Sequence, residues 1–455
     1  MARVKLDKTR TRRFALPLIL LCSGISILWG FSVGRTTSGG TLDFQAIYYG
    51  TRCLLEHHNP YKVSELENVY RTEAGDRPGE SVQRHQVVTL FVNLPTTFVL
   101  VAPFAMLPWN TAQALWLILL TGVFILAACL MGKIGARDSP GVSLFLICIL
   151  LANSELIFAT GNTAGVAIGL CVVAVWCFLK ERFVPAGILC LAISLAVKPH
   201  DAGLVWFYFL LAGGVYRKRA LQSLLVTVIL GLSAFLWVSH VAPHWIEDWQ
   251  SNLTAISAHG GLNEPGPASV TGRTAGMVID LQAAVSVFRN DPLIYNAVSY
   301  LVCGALLLVW SVRTLRSRFS QGRAWLALAA VVPLTMLVTY HRPYDAKLLL
   351  LTVPACALLW AEGGPIGWVA LIVNTVGIVF TGDVPLAILV ILTNNWHGST
   401  AGIFGQILTV VLTRPAPLIL LVMSIFYLWV YLRRAFAPAT GAGGYKQERS
   451  ASATV

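Results

Sequence analysis

The chain has little charge for its length. Only 12% of its 455 residues are Asp, Glu, Lys or Arg, whereas 56% are hydrophobic. A soluble domain typically has about 25% charged residues, so a soluble globular enzyme is excluded. Long apolar runs are present instead, for example at 16–33, 112–131 and 293–312. Because about 20 helical residues cross a hydrocarbon core roughly 30 Å thick, the sequence predicts an all-α polytopic membrane protein.

Several motifs of familiar protein classes are missing as well. The sequence has no Gly-x-x-x-x-Gly-Lys-Ser/Thr phosphate loop, which argues against ATP-driven pumping. Its nine cysteines lie mostly inside apolar runs and lack the spacing of zinc sites or disulfide frameworks. It also has no Asp-x-Asp pair for gripping a metal and a nucleotide sugar. We therefore expect neither a metal ion nor a cofactor.

The basic residues are clustered at the ends of apolar runs. A net charge of +12 could indicate nucleic-acid binding in a soluble protein, but this placement is typical of the positive-inside rule. We expect no nucleic-acid partner, and we place the clusters on the cytoplasmic side. They are Lys180 with Arg182, Arg217 to Arg219, Arg313 to Arg323, and Arg433 with Arg434.

The first apolar run has a basic flank like that of a signal peptide, but no clear cleavage site follows, so we interpret it as a retained helix. We predict a bundle of about 11–13 transmembrane helices with two large extracytoplasmic loops. The predicted helices lie near 15–34, 111–131, 140–158, 163–179, 184–197, 202–215, 221–240, 293–312, 324–340, 344–361, 366–381 and 415–432. The predicted regions are a cytoplasmic N-terminus (1–14), a transmembrane module (15–362) with outer loops at about 35–110 and 241–292, C-terminal helices (363–434), and a disordered cytoplasmic tail (435–455).

Segment 88–107 is apolar but is interrupted by Asn93, Pro95, Pro103 and Pro108. If it crosses the membrane fully, the basic clusters at 180–182 and 216–219 fall outside. If it enters and returns, every basic cluster falls inside. Non-helical backbone is tolerated at membrane depth where protein or a water-filled cavity covers it. We therefore predict a re-entrant or interfacial segment, with a full crossing as the alternative.

One acid, Asp43, follows the first apolar run directly. It could simply cap a helix that begins at Phe44, since Asp is favoured at that position. It could also remove a proton from a sugar hydroxyl, which is the work of a general base. Tyr48 and Tyr49 follow about one turn later and are candidate substrate-binding residues.

A few cations break the positive-inside trend. Lys198 ends an apolar helix just before Pro199 and His200, and it either snorkels to the interface or binds an anion such as phosphate. His341 and Arg342 occupy a short turn with Tyr344 and Asp345. A structural salt bridge between Arg342 and Asp345 is the plain alternative to a phosphate clamp.

The arrangement resembles the GT-C superfamily of membrane glycosyltransferases and, more narrowly, glycosyltransferase family 87. The resemblance covers roughly residues 15–360. It rests on Asp43-Phe44 with Tyr48-Tyr49, Asn59-Pro60-Tyr61, Pro103 to Leu107 with Ala114 and Trp116, Gly161-Asn162, Ala186-Gly187 with Lys198-Pro199, and His341 to Asp345. Two departures are Asn162, where the family usually has Gln, and 92–95, where it usually has a Tyr-x-Pro-Pro run.

The resemblance implies an inverting transfer of a hexose, mannose in this family, from a polyprenyl-phosphate sugar to a glycolipid or glycan acceptor. It also implies an active site on the extracytoplasmic side of a bacterial inner membrane, among membrane lipids. Asp43 would be the base, and the implied donor-phosphate ligands are Lys198, His200, His341 and Arg342. The implied substrate-binding residues are Tyr48, Tyr49, Asn59, Tyr61, Asn162, Tyr344 and Asp345. The rival interpretation is a lipid or sugar transporter or flippase, but the repeated halves expected of one are not evident.

Overall fold

The computed structural model describes residues 8–36, 41–74, 90–266, 278–383, 388 and 402–434. Over these residues the chain forms nineteen α-helices and one 3₁₀ helix, with no β-strand. Six helices are long and apolar enough to cross a membrane, and six shorter apolar helical stretches accompany them. The predicted all-α polytopic class is therefore confirmed. The predicted tail at 435–455 lies outside the described residues.

Most of the described helices are joined by short connections. In chain order they are α1 (Lys8–Thr36), α2 (Leu42–Leu55), α3 (Val63–Ala74), α4 (Thr96–Ala105), α5 (Trp109–Gly135), α6 (Pro140–Ala152), α7 (Glu155–Thr160), α8 (Thr163–Lys180), α9 (Val184–Val197), α10 (Pro199–Ala212), α11 (Gly214–Val241), α12 (Trp245–Ser257), α13 (Leu281–Val285), α14 (Pro292–Arg316), α15 (Gln321–Val338), the 3₁₀ helix (Asp345–Thr352), α16 (Val353–Glu362), α17 (Gly364–Phe380), α18 (Gly402–Thr413) and α19 (Pro415–Arg434).

Helices α8 and α15 form the centre of the bundle and are mostly buried. Helix α8 packs on α5, α9 and the 3₁₀ helix, and α15 packs along α19. Small residues permit the close approach of α8 to α5, as is common between membrane helices. A Cβ at Gly169 would lie 2.6 Å from Val123, and one at Gly165 would overlap Leu120.

Helix α11 lies at the periphery and exposes most of its apolar side chains. Examples are Leu225, Leu232 and Leu236, each more than half exposed. Exposed apolar surface of this extent marks an interaction site or a membrane-facing surface. In this chain it provides the lipid-facing surface that a transmembrane bundle needs.

Two predicted helices are wrong in detail. The run 140–158 is divided into α6 and α7, because the backbone turns at Asn153 and Ser154. The run 344–361 begins as a 3₁₀ helix over Asp345–Thr352 and becomes α-helical only from Val353. Both irregular places carry buried charged residues, Glu155 in the first and Asp345 with Lys347 in the second.

In the described part of segment 88–107, residues 90–107, the structure has one helix, α4, of ten residues. At 1.5 Å per residue such a helix is about 15 Å long, roughly half of the distance across the hydrocarbon core. This length favours the re-entrant alternative over a full crossing.

The chain path places the basic clusters opposite the candidate site residues. Helix α8 begins at the residue after Asn162 and ends at Lys180. Helix α15 has Arg323 near its start and ends shortly before His341. One end of the bundle thus carries Asp43, Asn162, Lys198 and His341, and the other carries the lysine and arginine clusters.

Candidate active site

The Asp43 carboxylate is held by an amide from another helix. Asn162 Nδ2 donates to Asp43 Oδ2 at 2.7 Å, while Asn162 Oδ1 accepts from Ala164 N at 2.8 Å and caps α8. Because the oxygen of the amide is committed to the cap, its nitrogen has to face Asp43. The N-cap position of α2 belongs to Thr41 rather than to Asp43. The capping explanation of this acid therefore does not apply.

The backbone beside Asp43 is fixed from several directions. Thr41 adopts φ 55°, which is uncommon for a β-branched residue. Its N–H donates to Ala159 O at 2.7 Å, and its hydroxyl accepts from Gln113 Nε2 at 2.7 Å. Gly161 has φ 63°, and a Cβ there would lie 3.0 Å from the Cβ atoms of Phe44 and Thr41. Strained, over-determined backbone of this kind is typical of functional sites.

Two carboxylates and two cations form a buried network at the same end of the bundle. Lys198 Nζ lies 2.6 Å from Asp345 Oδ1 and 3.8 Å from Asp201 Oδ2. His341 Nε2 lies 3.3 Å from Asp201 Oδ1, and His341 Nδ1 lies 2.7 Å from Thr339 O. The network extends across the beginnings of α10 and the 3₁₀ helix. Lys198 is thus paired rather than snorkelling to the interface.

The break before α10 explains how Lys198 enters the network. A residue that precedes proline avoids helical backbone, and Lys198 has φ −141° and ψ 80° before Pro199. This kink ends α9 and starts α10, and both carboxylates remain within reach of the ammonium group. Burial lowers the pKa of Lys198, but Asp345 and Asp201 more than offset this, so its pKa is raised.

His341 is favoured in its protonated form. Burial lowers its pKa, but the proximity and charge of Asp201, together with the charge of Asp345, outweigh burial and raise the pKa above its ordinary value. The ring is fully buried. Although Nε2 and Asp201 Oδ1 are close, their alignment does not satisfy a hydrogen bond among the described residues, and the contact is best described as an ion pair.

Arg342 connects this network to Asp43. Its backbone N–H donates to Asp345 Oδ2 at 2.8 Å, and its guanidinium contacts the hydroxyl of Tyr340. The pKa of Arg342 is raised: burial lowers it, but Tyr340, Tyr344 and the Asp43 carboxylate outweigh burial. The side chains of Arg342 and Asp345 form no salt bridge among the described contacts. The structural salt bridge that was the alternative to a phosphate clamp is therefore not observed.

Tyr344 lies between the two parts of the site. Lys198 Nζ is 4.9 Å from the centroid of its ring, and the Asp43 carboxylate acts electrostatically on its hydroxyl. His200 is close by, with its ring centroid 5.0 Å from that of His341 and its side chain about one-third exposed. Asp43 and the cations that break the positive-inside trend thus lie at one end of the bundle, together with Asp201 and Asp345.

The remaining predicted substrate-binding residues lie in well-packed surroundings. Tyr48 donates to Leu107 O at 2.7 Å, and Tyr49 stacks on Trp109 at 5.9 Å between ring centroids. Both tyrosines are buried. They help to fix α2, and their contact with substrate stays a prediction.

Asn59 and Tyr61 connect separate segments of the chain. Asn59 Nδ2 donates to Asp248 Oδ2 at 2.7 Å, which joins the α2–α3 turn to α12. Tyr61 is buried, and its hydroxyl donates to Asn93 O at 2.9 Å. These contacts give the two residues a structural function, and their contact with substrate likewise stays a prediction.

Sequence reasoning missed two acids of this region. Asp201 is a member of the network, and the signal for it was its place three residues after Lys198 in the first turn of α10. Asp280 is buried in the second large loop, and burial raises its pKa to about 6. Its neighbour Ile279 donates from N to His341 O at 3.0 Å. The second loop therefore contacts the site directly.

Three members of the site have the donor types of a metal centre. His200, Asp201 and His341 offer ligand atoms within 4.8 Å of one another, and Zn²⁺ takes such ligands. However, Lys198 Nζ is 3.8 Å from Asp201, and a divalent cation at this place would meet that ammonium at close range. We therefore treat these residues as part of the ion-pair network.

The buried pair gives a prediction about stability. Lys198→Met leaves two buried carboxylates without their ammonium partner, and removing one partner of a buried pair typically costs about 3–5 kcal/mol. The double variant Lys198→Met/Asp345→Asn should lose less than the sum of the two single changes. Thermal unfolding in detergent measures both effects.

The control is Lys62→Met. Lys62 also pairs with a carboxylate, that of Glu65 at 3.0 Å, but its side chain is more than half exposed. We expect wild-type stability for this variant, since exposed pairs contribute little. Equal losses for Lys198→Met and Lys62→Met would contradict the network.

A family model, that of glycosyltransferase family 87, matches residues 91–340. No curated protein and no solved structure matches the chain. The matched interval contains Asn162, Lys198 and His200, whereas Asp43 and the turn from His341 to Asp345 lie outside it.

Proposed function

Because the chain belongs to glycosyltransferase family 87, we propose that it transfers a hexose, mannose by its resemblance, from a polyprenyl-phosphate donor. The acceptor is a glycolipid or glycan, the anomeric configuration is inverted, and Asp43 is the general base. The site faces the extracytoplasmic side of a bacterial inner membrane, as the positive-inside pattern of the opposite helix ends favours. One observation carries the proposal: Asn162 Nδ2 holds the Asp43 carboxylate at 2.7 Å, at the end of the bundle that also carries Lys198, His341 and Arg342.

The reaction can be written from these groups. Asp43 accepts the proton of an acceptor hydroxyl as its oxygen attacks the anomeric carbon of the donor sugar. The bond between that carbon and the phosphate oxygen breaks on the opposite face, and its electron pair leaves with the polyprenyl phosphate. The donor phosphate is a singly charged diester, and the leaving monoester gains a second negative charge. Fixed cations that face this developing charge stabilise the transition state.

The cations of the site divide into two groups. Lys198 and His341 already face Asp345 and Asp201, so their charges are largely balanced and they fix the turn. The guanidinium of Arg342 contacts only neutral oxygen and ring partners among its described contacts. His200 is partly exposed, and burial lowers its pKa to about 3, so it differs from these cations and acts as a neutral hydrogen-bonding group. We therefore assign the donor phosphate chiefly to Arg342, with His200 beside it, and we assign Lys198 and His341 to supporting positions.

The proposal is tested with the purified protein in lipid nanodiscs. Radiolabelled polyprenyl-phosphate mannose, glucose and arabinose are supplied in parallel with the corresponding nucleotide sugars, and a host lipid and glycan extract provides acceptors. We expect label to pass only from a lipid-linked donor, to a product of inverted anomeric configuration. Transfer from a nucleotide sugar, or retention of configuration, would contradict the proposal.

A further inference from the structure

A second buried cluster of charged residues lies where α6 turns into α7. It consists of Glu155, Lys347 and Asp383, all of which are less than one-tenth exposed. Lys347 Nζ lies 3.7 Å from Asp383 Oδ1. It also donates to Asn153 O and, at 3.3 Å, to Thr381 O. The proposed chemistry uses none of these three residues.

Asp383 holds the start of α7. Its Oδ2 accepts from Leu156 N at 2.7 Å, which satisfies one of the free N–H groups in the first turn. A carboxylate at this end also interacts favourably with the helix dipole.

Helix α7 leads directly to the proposed base. It has six residues and so spans about 9 Å. At its end, Ala159 O accepts from Thr41 N, and Trp116 Nε1 donates to Gly161 O at 2.8 Å. The next residue is Asn162, which holds the Asp43 carboxylate. One short helix thus connects the buried cluster to both the backbone and the side-chain support of Asp43.

We propose that Asp383 is a positioning residue for Asp43, acting through α7 and Asn162. The inference rests on the proposed function, because it assigns Asp43 the task that needs positioning. Asp383 and Lys347 lie outside the matched interval 91–340, so the C-terminal part of the chain contributes to the site. Without the Asp383 carboxylate, the N–H of Leu156 at the start of α7 loses its partner. The side-chain amide of Asn162 then moves relative to the Asp43 carboxylate.

The test compares Asp383→Ala, Asp383→Asn, Asn162→Ala and the double variant Asp383→Ala/Asn162→Ala. We expect Asp383→Ala to lower kcat about tenfold, with the KM for donor within about twofold, because the chemical step rather than binding is disturbed. Asparagine keeps an oxygen acceptor for Leu156 N and should restore most of kcat. The double variant should be no slower than the slower single variant. If Asp383 acts through Asn162, the effects of the two substitutions on kcat are not additive.

The matched control is Asp291→Ala. Asp291 also caps a helix, α14, and accepts from Leu293 N at 3.0 Å, but it is remote from α7 in the chain. We expect its loss to affect thermal stability and to leave kcat unchanged. Equal losses of kcat in Asp383→Ala and Asp291→Ala, or fully additive effects of Asp383→Ala and Asn162→Ala, would overturn the inference.

A second readout does not depend on activity. Hydrogen exchange in nanodiscs should be faster for amides 41–45 and 156–162 in Asp383→Ala than in Asp291→Ala, because the Thr41 amide bonds to Ala159 O. Unchanged exchange at 41–45 would overturn the inference, even if the wild-type protein transfers sugar as proposed. Absence of transfer by the wild-type protein from any lipid-linked donor would instead count against the proposed function, and the exchange result would still decide the inference.

Discussion

Asp43→Asn is expected to lower kcat by about 10²–10⁴-fold, the usual contribution of a positioned general base. The substitution keeps the size of the side chain and leaves an oxygen that can accept from Asn162, but it removes the carboxylate that takes the proton. Donor binding should therefore persist, within a few-fold of wild type. Turnover of radiolabelled polyprenyl-phosphate sugar and equilibrium binding of the same donor measure the two quantities separately.

The control for this prediction is Glu247→Gln. It makes the same chemical change at an acid in the first turn of α12 whose side chain is more than four-fifths exposed. We expect wild-type turnover from it. Normal sugar transfer by Asp43→Asn would rule out Asp43 as the base, and equal losses of binding and turnover would indicate a role in donor binding instead.

Arg342→Ala is expected to lower kcat/KM by about 10²–10³-fold, since one preorganised donor at a developing anion typically contributes that much. The phosphate gains a negative charge as it leaves, so the loss should appear in kcat as well as in KM. Arg342→Lys should recover only part of it, because an ammonium lacks the planar pair of donors. Steady-state kinetics with a fixed acceptor extract measure the series.

Arg71→Ala serves as the matched control for Arg342. Its guanidinium lies on α3, is mostly exposed and pairs only weakly with Glu67 at 3.7 Å. We expect kinetics like those of the wild type. A higher KM with unchanged kcat in Arg342→Ala would mean that the arginine binds donor and leaving group equally well, and the assigned role would then be wrong.

The long apolar runs predicted most of the helices well. The run 293–312 corresponds to α14 at Pro292–Arg316, and 163–179 corresponds to α8 at Thr163–Lys180. Their ends carry local signals that sequence can express, such as the cap at Asn162 and the proline after Lys198. The division of 140–158 falls at Asn153 and Ser154, residue types that favour helix ends, and it accompanies contacts with Lys347 and Asp383 that lie far along the chain.

The sequence indicated which residues are candidates for the site better than it indicated which of them pair with one another. The departures of Lys198, His341 and Arg342 from the charge rule identified them from sequence. Their partners were not identified, because the contact between Lys198 and Asp345 joins residues 147 positions apart. The alternative to a phosphate clamp paired Arg342 with Asp345, whereas in the fold Asp345 pairs with Lys198 and the guanidinium of Arg342 contacts Tyr340. Only the tertiary arrangement of α10 and α15 decides between these pairings.

The most direct measurement is an experimental structure of the Asp43→Asn variant with polyprenyl-phosphate mannose bound in a nanodisc. The account predicts the donor phosphate within salt-bridge distance of the Arg342 guanidinium and the anomeric carbon facing the side chain at position 43. A donor phosphate bound at the opposite end of the bundle, beside Arg217 and Lys218, would contradict the account.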